Sequence, residues 1–361
     1  MTTTPNKFRR RQIGFEGMTS PSIGSTYHGM EIPAKCRPDR AKSFFEDQYF
    51  MPPRLVTVEP SAGCNCRCAM CPTHLYAKRG GFLDFDLFRL IADEAAGFCE
   101  VLVFQGAGEP FLHPRLREMI TYARKIGISN IHVSTNGTLV REKEREWLLD
   151  PTSAPSSIQF SIDGATELEF ESIRSGASFN VVHSNLAALK NTRDSQRLVM
   201  PEITIATLLR RGFDCSAFLE KWGAMVDDIT ITPMLRQADR NREDCQEFLD
   251  GVMSVRHDYL GCPKPYEVIS ITSEGDVTAC QHDFGRSHIM GKLGQGAGLL
   301  DIWRNAEYRE FRKSHITFAA ETTACKGCKH MYRIIEEREL FSLRKTLLAY
   351  FQARTDNRKG E

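Results

Sequence analysis

The feature that most limits what this chain can become is an alternation of two patterns. Short apolar runs of β type recur, and most are followed by a loop and then by a segment with helical spacing. They run from RLVTVEP (54–60) and DLFRLIADEAAGF, through EVLVFQG (100–106), PRLREMITYARKIG and NIHVSTNG, to REKEREWLL and SIQFSIDG. VVHSNLAALKNTR, EITIATLL, CSAFLEKWGAMV and DITITPML continue the pattern. Apolar positions three and four apart give a helix one buried face, whereas a short continuous apolar run reads as a strand covered on both faces. Strands joined through helices predict a parallel sheet with helices over its outer face. In such sheets the working loops stand at the carboxyl ends of the strands.

The loop after the first of these runs carries GCNCRCAMCP, with four cysteines between Cys64 and Cys71. The chain has twelve cysteines in 361 residues. Its N-terminus, MTTTPNKFRRRQ, lacks the apolar core of a secretory signal, and no apolar run approaches the roughly 20 residues of a membrane span. The expected compartment is the cytoplasm, where cysteines serve metal or redox chemistry rather than disulfides. Lys and Arg total 47 against 46 Asp and Glu, so no global field draws the chain to nucleic acid or an anionic membrane.

The cysteines fall into two sets, with Cys36, Cys66, Cys99, Cys215 and Cys245 scattered. Cys64, Cys68 and Cys71 have the spacing CxxxCxxC, with Gly63 and Pro72 allowing a tight loop. Three thiolates leave one iron of a cubane open; the alternatives are a structural zinc site completed by His74, or a ferredoxin-type site. Cys66 is a bystander or an alternative ligand. In the second set, YEVISIT and DVTAC flank the turn SEG, so Cys262 and Cys280 can meet at the open end of a hairpin. DIWRNAEYREFRKS reads as a helix, and CKGCKHMY adds Cys325 and Cys328. These four can bind zinc or a second iron–sulfur cluster, and spacing alone favours zinc.

The first loop, its place after the first strand, and FQGAGEPFLHP after the second together resemble the radical SAM superfamily. The resemblance implies an α/β fold, a partial (β/α)6 TIM-type barrel, with a [4Fe-4S] cluster on Cys64, Cys68 and Cys71 whose open iron chelates S-adenosylmethionine. It implies that Gly106, Gly108 and Glu109 approach the methionyl amino group. VSTNGT and FSIDG also resemble family segments, expected at the ends of the fourth and fifth strands. By that analogy Ser134, Asn136 and Ser161 contact the ribose and Arg174 pairs with the SAM carboxylate. The same sequences are ordinary strand-to-turn sequences, with Asn-Gly and Asp-Gly as turn residues. Met70 stands where relatives carry an aromatic residue beside adenine; a thioether can pack there too.

Residues 262 to 332 resemble the SPASM or Twitch extension of radical SAM enzymes, in a small C-terminal hairpin-plus-helix domain. That resemblance reverses the preference for zinc and implies an auxiliary [4Fe-4S] cluster on Cys262, Cys280, Cys325 and Cys328, with His282 or His330 as alternative ligands. The expected organisation is an extension over 1–50, the barrel over 51–240, the cluster domain over 241–335 and a helix over 336–361.

The family's reaction is cleavage of SAM to methionine and a 5′-deoxyadenosyl radical that takes hydrogen from an unactivated carbon. Relatives with this extension oxidise or epimerise carbinol carbons of sugars or aminocyclitols, modify ribosomal peptides, or oxidise protein residues. A small polar substrate is expected here, because RRRQIGFEGMTSPSIGSTYHGMEIPAK lacks the pattern of a peptide-leader recognition module. The other expected partner is an external reductant such as flavodoxin or ferredoxin, and the chain is expected as monomer or homodimer. Cys215 and Cys245 are candidate hydrogen donors, though a lone cysteine is commonly a small buried hydrophobe. Glu59, Arg210 and Arg236 are candidate substrate contacts, and His282 and Asp283 either line a channel between clusters or finish a turn. The alternatives are peptide modification and a non-catalytic electron-transfer protein.

Overall fold

Strand by strand, the β-branched runs of the sequence line up in chain order. The computed structural model describes residues 51–71, 73, 81–210, 212–233, 264–294, 296–316 and 325. Strands β1 (Leu55–Val58), β2 (Val101–Phe104), β3 (Ile131–Thr135), β4 (Ser157–Ser161), β5 (Glu202–Leu209) and β6 (Asp228–Pro233) pair in parallel, each with the next. VSTNGT and FSIDG thus close β3 and β4, one strand earlier than expected.

The connecting helices are α1 (Phe85–Ala95), α2 (Leu116–Lys125), α3 (Glu142–Leu148), α4 (Glu167–Ile173), α5 (Phe179–Ser195) and α6 (Cys215–Trp222). Short polar side chains start three of them. Asp84 accepts from the N–H groups of Asp86 and Leu87, Thr166 from Glu169, and Asp214 from Ala217. The helix α4 lies in a stretch that apolar spacing left unassigned.

The sheet's two faces differ. Alternation along β1 sends Val56 and Val58 to the helices, into a core shared with Leu102, Phe104, Ile158, Phe88 and Leu186. The opposite face holds a small apolar cluster of Leu55, Val103 and Val268. Further toward the carboxyl ends that face turns polar, with Thr57, Gln105 and Ser134.

The C-terminal part joins the same sheet. After a short helix α7 (Lys264–Glu267), β7 (Val268–Ile271) pairs in parallel with β1, Leu55 facing Val268 and Thr57 facing Ser270. β7 and β8 (Asp276–Thr278) form the expected antiparallel hairpin around SEG, and β9 (Ile289–Lys292) adds one more strand. The nine strands run in the order β6-β5-β4-β3-β2-β1-β7-β8-β9. The helix expected over DIWRNAEYREFRKS divides into α8 (Leu299–Trp303) and α9 (Ala306–Ile316). Buried Arg312 links them, donating to the Trp303 and Pro265 carbonyls at 2.7 and 2.8 Å. Among the described residues no helix is long and apolar enough to cross a membrane.

Candidate active site

The cysteine loop leaves the carboxyl end of β1 and is braced on several sides. The N–H of Glu109 donates to the Gly63 carbonyl at 2.8 Å, and those of Arg67 and Ala69 donate to Ser175 and Ile173 at 2.7 and 2.8 Å. This closeness is what the glycines of FQGAGEP permit. A Cβ on Gly108 would lie 2.1 Å from the Ser61 carbonyl oxygen and 2.3 Å from that of Gly63, and one on Gly106 would lie 2.5 Å from Glu59 Cγ.

The sulfurs sit among hydrogen-bond donors, which is what bound thiolates require. Cys64 Sγ accepts from the Cys66 N–H at 3.4 Å and from Asn136 Nδ2 at 3.8 Å, and Arg174 Nη1 reaches Cys68 Sγ at 3.9 Å. Cys71 Sγ lies 3.1 Å from Thr73 Oγ1. The Cys66 thiol hydrogen-bonds to Cys64 and pulls it down to about 6; the same contact drives Cys66 upward, and burial raises Cys68 to about 11. Among the described residues no three Cys, His, Asp or Glu converge on a single-ion site. A cubane takes each thiolate at a different corner, an arrangement that three thiolates of one loop can supply.

Glu109 sits beneath this loop, 2% exposed. It accepts from Thr135 Oγ1 and the Asn136 N–H at 2.7 Å each and from the Phe111 N–H at 3.1 Å, and burial raises it to about 7. Asn136 in turn donates to Asn65 Oδ1 at 2.9 Å. Arg174 is paired with fully buried Asp163 at 2.6 Å. Glu109 and Arg174, two of the residues that the resemblance assigned to SAM, therefore have protein partners: Glu109 ties β2 to β3, and Arg174 ties the end of α4 to the cysteine loop.

Beside the loop, between β1, β2, β3 and the β7–β8 hairpin, lies a cavity of about 220 Å³. Ala62 and Thr73 wall it on the cysteine-loop side and Cys280, His282 and Asp283 on the hairpin side. Glu59 lines it, but its carboxylate is taken. Oε2 accepts from the Ala107 N–H at 2.8 Å, and Oε1 from Ser273 N and Oγ and from Arg286 Nη2 at 3.1 to 3.2 Å. Arg286, with φ of 53°, also pairs with Glu274 at 2.6 Å. Asp283 both lines the cavity and finishes a turn, accepting from Ser287 and His288 N–H groups at 3.0 and 2.8 Å. The His282 N–H donates to Cys280 Sγ at 3.4 Å.

Of the other expected site residues, Gly106 and Ser134 line the cavity. Ser161 ends β4, and Met70 is half-buried against the core. Arg210 pairs with Glu169 and lies over the Phe213 ring, and Cys215 opens α6, its thiol raised to about 11 by burial; neither lines the cavity. Cys325 is half-buried against the core. Arg236, Cys245, Cys262 and Cys328 lie outside the described residues, as do His74 and His330. Sequence reading missed Arg286, Asp163 and Thr57. Asp163 stands in FSIDG, where a turn role hid a buried ion pair, and Thr57 stands inside an apolar run.

A parallel barrel arc with a donor-rich loop of four thiols after its first strand, extended by a hairpin that leads to Cys280, is the arrangement of a cluster-dependent enzyme. Comparison with known proteins gives the family. Residues 58–209 match the Radical SAM superfamily and residues 262–329 the SPASM iron-sulfur cluster-binding domain. The chain is a radical SAM enzyme with a SPASM domain, and its cofactors are S-adenosylmethionine and iron–sulfur clusters of both domains.

It is 23% identical over 300 residues to the S-adenosyl-L-methionine-dependent 2-deoxy-scyllo-inosamine dehydrogenase of Niallia circulans, covering 78% of this chain and 95% of that protein. It is 24% identical over 309 residues to the mycofactocin maturase MftC of Mycobacterium ulcerans, covering 77% and 80%. A match of 39% identity to a tungsten-containing aldehyde ferredoxin oxidoreductase cofactor-modifying protein of Pyrococcus furiosus spans 92 residues, 25% of this chain and only 26% of that protein. The solved structure of anSMEcpe with bound AdoMet shares the fold, with a TM-score of 0.57 at 17% identity over 85% of this chain and 98% of that one.

Proposed function

We propose that this enzyme acts on a small polar molecule, a sugar or aminocyclitol, at a carbinol C–H, and oxidises or epimerises it. The observation that carries this reading is the cavity of about 220 Å³ walled by the cysteine loop on one side and by Cys280 on the other. It lies below the roughly 300–1,000 Å³ of ordinary ligand pockets, which favours a small occupant. Its lining is rich in hydroxyl, amide and charged groups, including Gln105, Ser134, Asp283 and Arg286. Similarity over 95% of an aminocyclitol dehydrogenase supports the same class.

In this reading Cys64, Cys68 and Cys71 hold the first cluster, and Cys262, Cys280, Cys325 and Cys328 the auxiliary one. When bound, the cofactors supply a hydrogen-abstracting 5′-deoxyadenosyl radical and a nearby electron acceptor. The chain's own contribution is placement. The Glu109 carboxylate ties the β2 loop to the end of β3 while the Glu109 backbone N–H holds the cysteine loop, Arg174 and Asn136 donate toward the loop's sulfurs, and Glu59 with Arg286 fixes the hairpin wall. An external reductant such as flavodoxin or ferredoxin supplies electrons.

The test feeds aminocyclitols deuterated at single carbinol positions to protein given SAM and dithionite. Deuterium in 5′-deoxyadenosine from one position is the expected result. Transfer from no aminocyclitol or sugar, with transfer from a peptide instead, would overturn it in favour of peptide modification.

A further inference from the structure

The cavity contains two buried hydroxyls that the fold itself does not use. Thr57 on β1 and Ser270 on β7 are 3% and 5% exposed, and both line the cavity. They are register partners across the β1–β7 seam, so their side chains stand side by side on the inner face. Neither Thr57 Oγ1 nor Ser270 Oγ has a hydrogen-bond partner among the described residues. A buried hydroxyl without a partner costs free energy, and native folds keep few of them. Val56, Val58 and Ile269 on the same strands are packed away on the helix side, so this polarity belongs to the cavity face alone.

We infer that Thr57 and Ser270 form a hydroxyl-reading subsite, donating to and accepting from adjacent hydroxyl or amino groups of a polyol ring held in the cavity. The inference rests on the cavity being the substrate site and deepens that reading. Each side chain can donate one hydrogen bond and accept others, which matches a ring whose neighbouring substituents are themselves donors and acceptors. Because Ser270 arrives on β7, half of the subsite exists only when the C-terminal strands are seated against β1.

The experiment uses the full chain with both clusters and measures equilibrium binding of 2-deoxy-scyllo-inosamine and scyllo-inositol to wild type, T57V, S270A and the double variant. Thr57→Val keeps the volume and removes only the polar group. Each loss should weaken polyol binding roughly three- to tenfold, the worth of one net hydrogen bond. SAM affinity and substrate-free 5′-deoxyadenosine formation should hold, and the ligand-free Tm should stay level or rise. Unchanged polyol binding in the variants overturns the subsite while leaving the substrate class intact. A fall in SAM affinity instead of polyol affinity, or a lowered Tm with binding unchanged, also overturns it. A wild type that binds neither polyol overturns the substrate class and the subsite together.

Discussion

The two cysteine-bearing loops that face each other across the cavity are secured in opposite ways. The first is braced by other parts of the chain: Glu109 of the β2 loop, Ile173 and Ser175 all bond to its backbone, and the Arg174 side chain reaches Cys68 Sγ. Among the described residues the Cys280 loop makes backbone bonds internal to it, with Ala279 N donating to His288 O, Asp283 N to Cys280 O and Arg286 N to Asp283 O at 2.9 to 3.0 Å. Its charged tie to the barrel, among the described residues, is Arg286 to Glu59 at 3.2 Å, with Ser273 beside it. The loop that must position a reacting cofactor is thus overdetermined. The other is a local unit held by the strand pairing beneath it and a clamp, so damage to the two should read out differently.

The largest effect is expected from Cys64→Ala, which should abolish 5′-deoxyadenosine formation and remove roughly half of the bound iron, measured by iron assay and chromatography. Retention of both would break the assignment of the first loop. Gly108→Ala comes next, because its Cβ meets backbone oxygens at 2.1 and 2.3 Å that cannot yield without shifting the loop. A displacement near 1 Å should cost about 100-fold in SAM cleavage, with the C-terminal iron retained.

Arg286→Ala should destabilise by about 2 kcal/mol, since it removes the counter-charge of buried Glu59 while the Ala107 and Ser273 donors remain; hydrogen exchange should rise over residues 268 to 292 and not over the first loop. A uniform rise across both loops would erase the contrast drawn above.

His132 tests the barrel beneath both loops. Burial holds its imidazole down to about 4, against about 6.5 when unfolded, so the unfolded chain binds the extra proton between those values. Stability should be full above about pH 6.5 and fall by about 3 kcal/mol as pH drops toward 4. H132Q should flatten that slope in denaturant titrations at stepped pH. The smallest effect is expected from Cys66→Ala, with first-site iron kept and stability lowered by about 1 kcal/mol. Loss of that cluster would make Cys66 a ligand.

Periodicity carried the six barrel strands and most of their helices, because each is written in consecutive residues. Partners distant in the chain were not legible. Nothing in YEVISIT says that β7 will lie against β1, and nothing near Glu59 points to Arg286, 227 residues away. Glu59 was read as a substrate contact because an acidic residue at a strand end looks free, yet three neighbours occupy its carboxylate. Thr57 was hidden for the opposite reason: one hydroxyl in LVTV does not disturb an apolar pattern. Arg174 stood out by its segment, while its Asp163 partner was hidden by the turn chemistry of Asp-Gly.

The β1–β7 pairing has a consequence for anyone recombining such enzymes. The sequence family boundary at residue 262 suggests a clean junction for exchanging C-terminal modules. Physically, a cut there removes Val268–Ile271, which is one wall of the barrel interior, and installs a foreign strand along β1. A chimera joined at that point inherits half of another enzyme's cavity. Joining after Ile271, with Ser273 and Arg286 retained, keeps the seam native and confines the exchange to what lies beyond it.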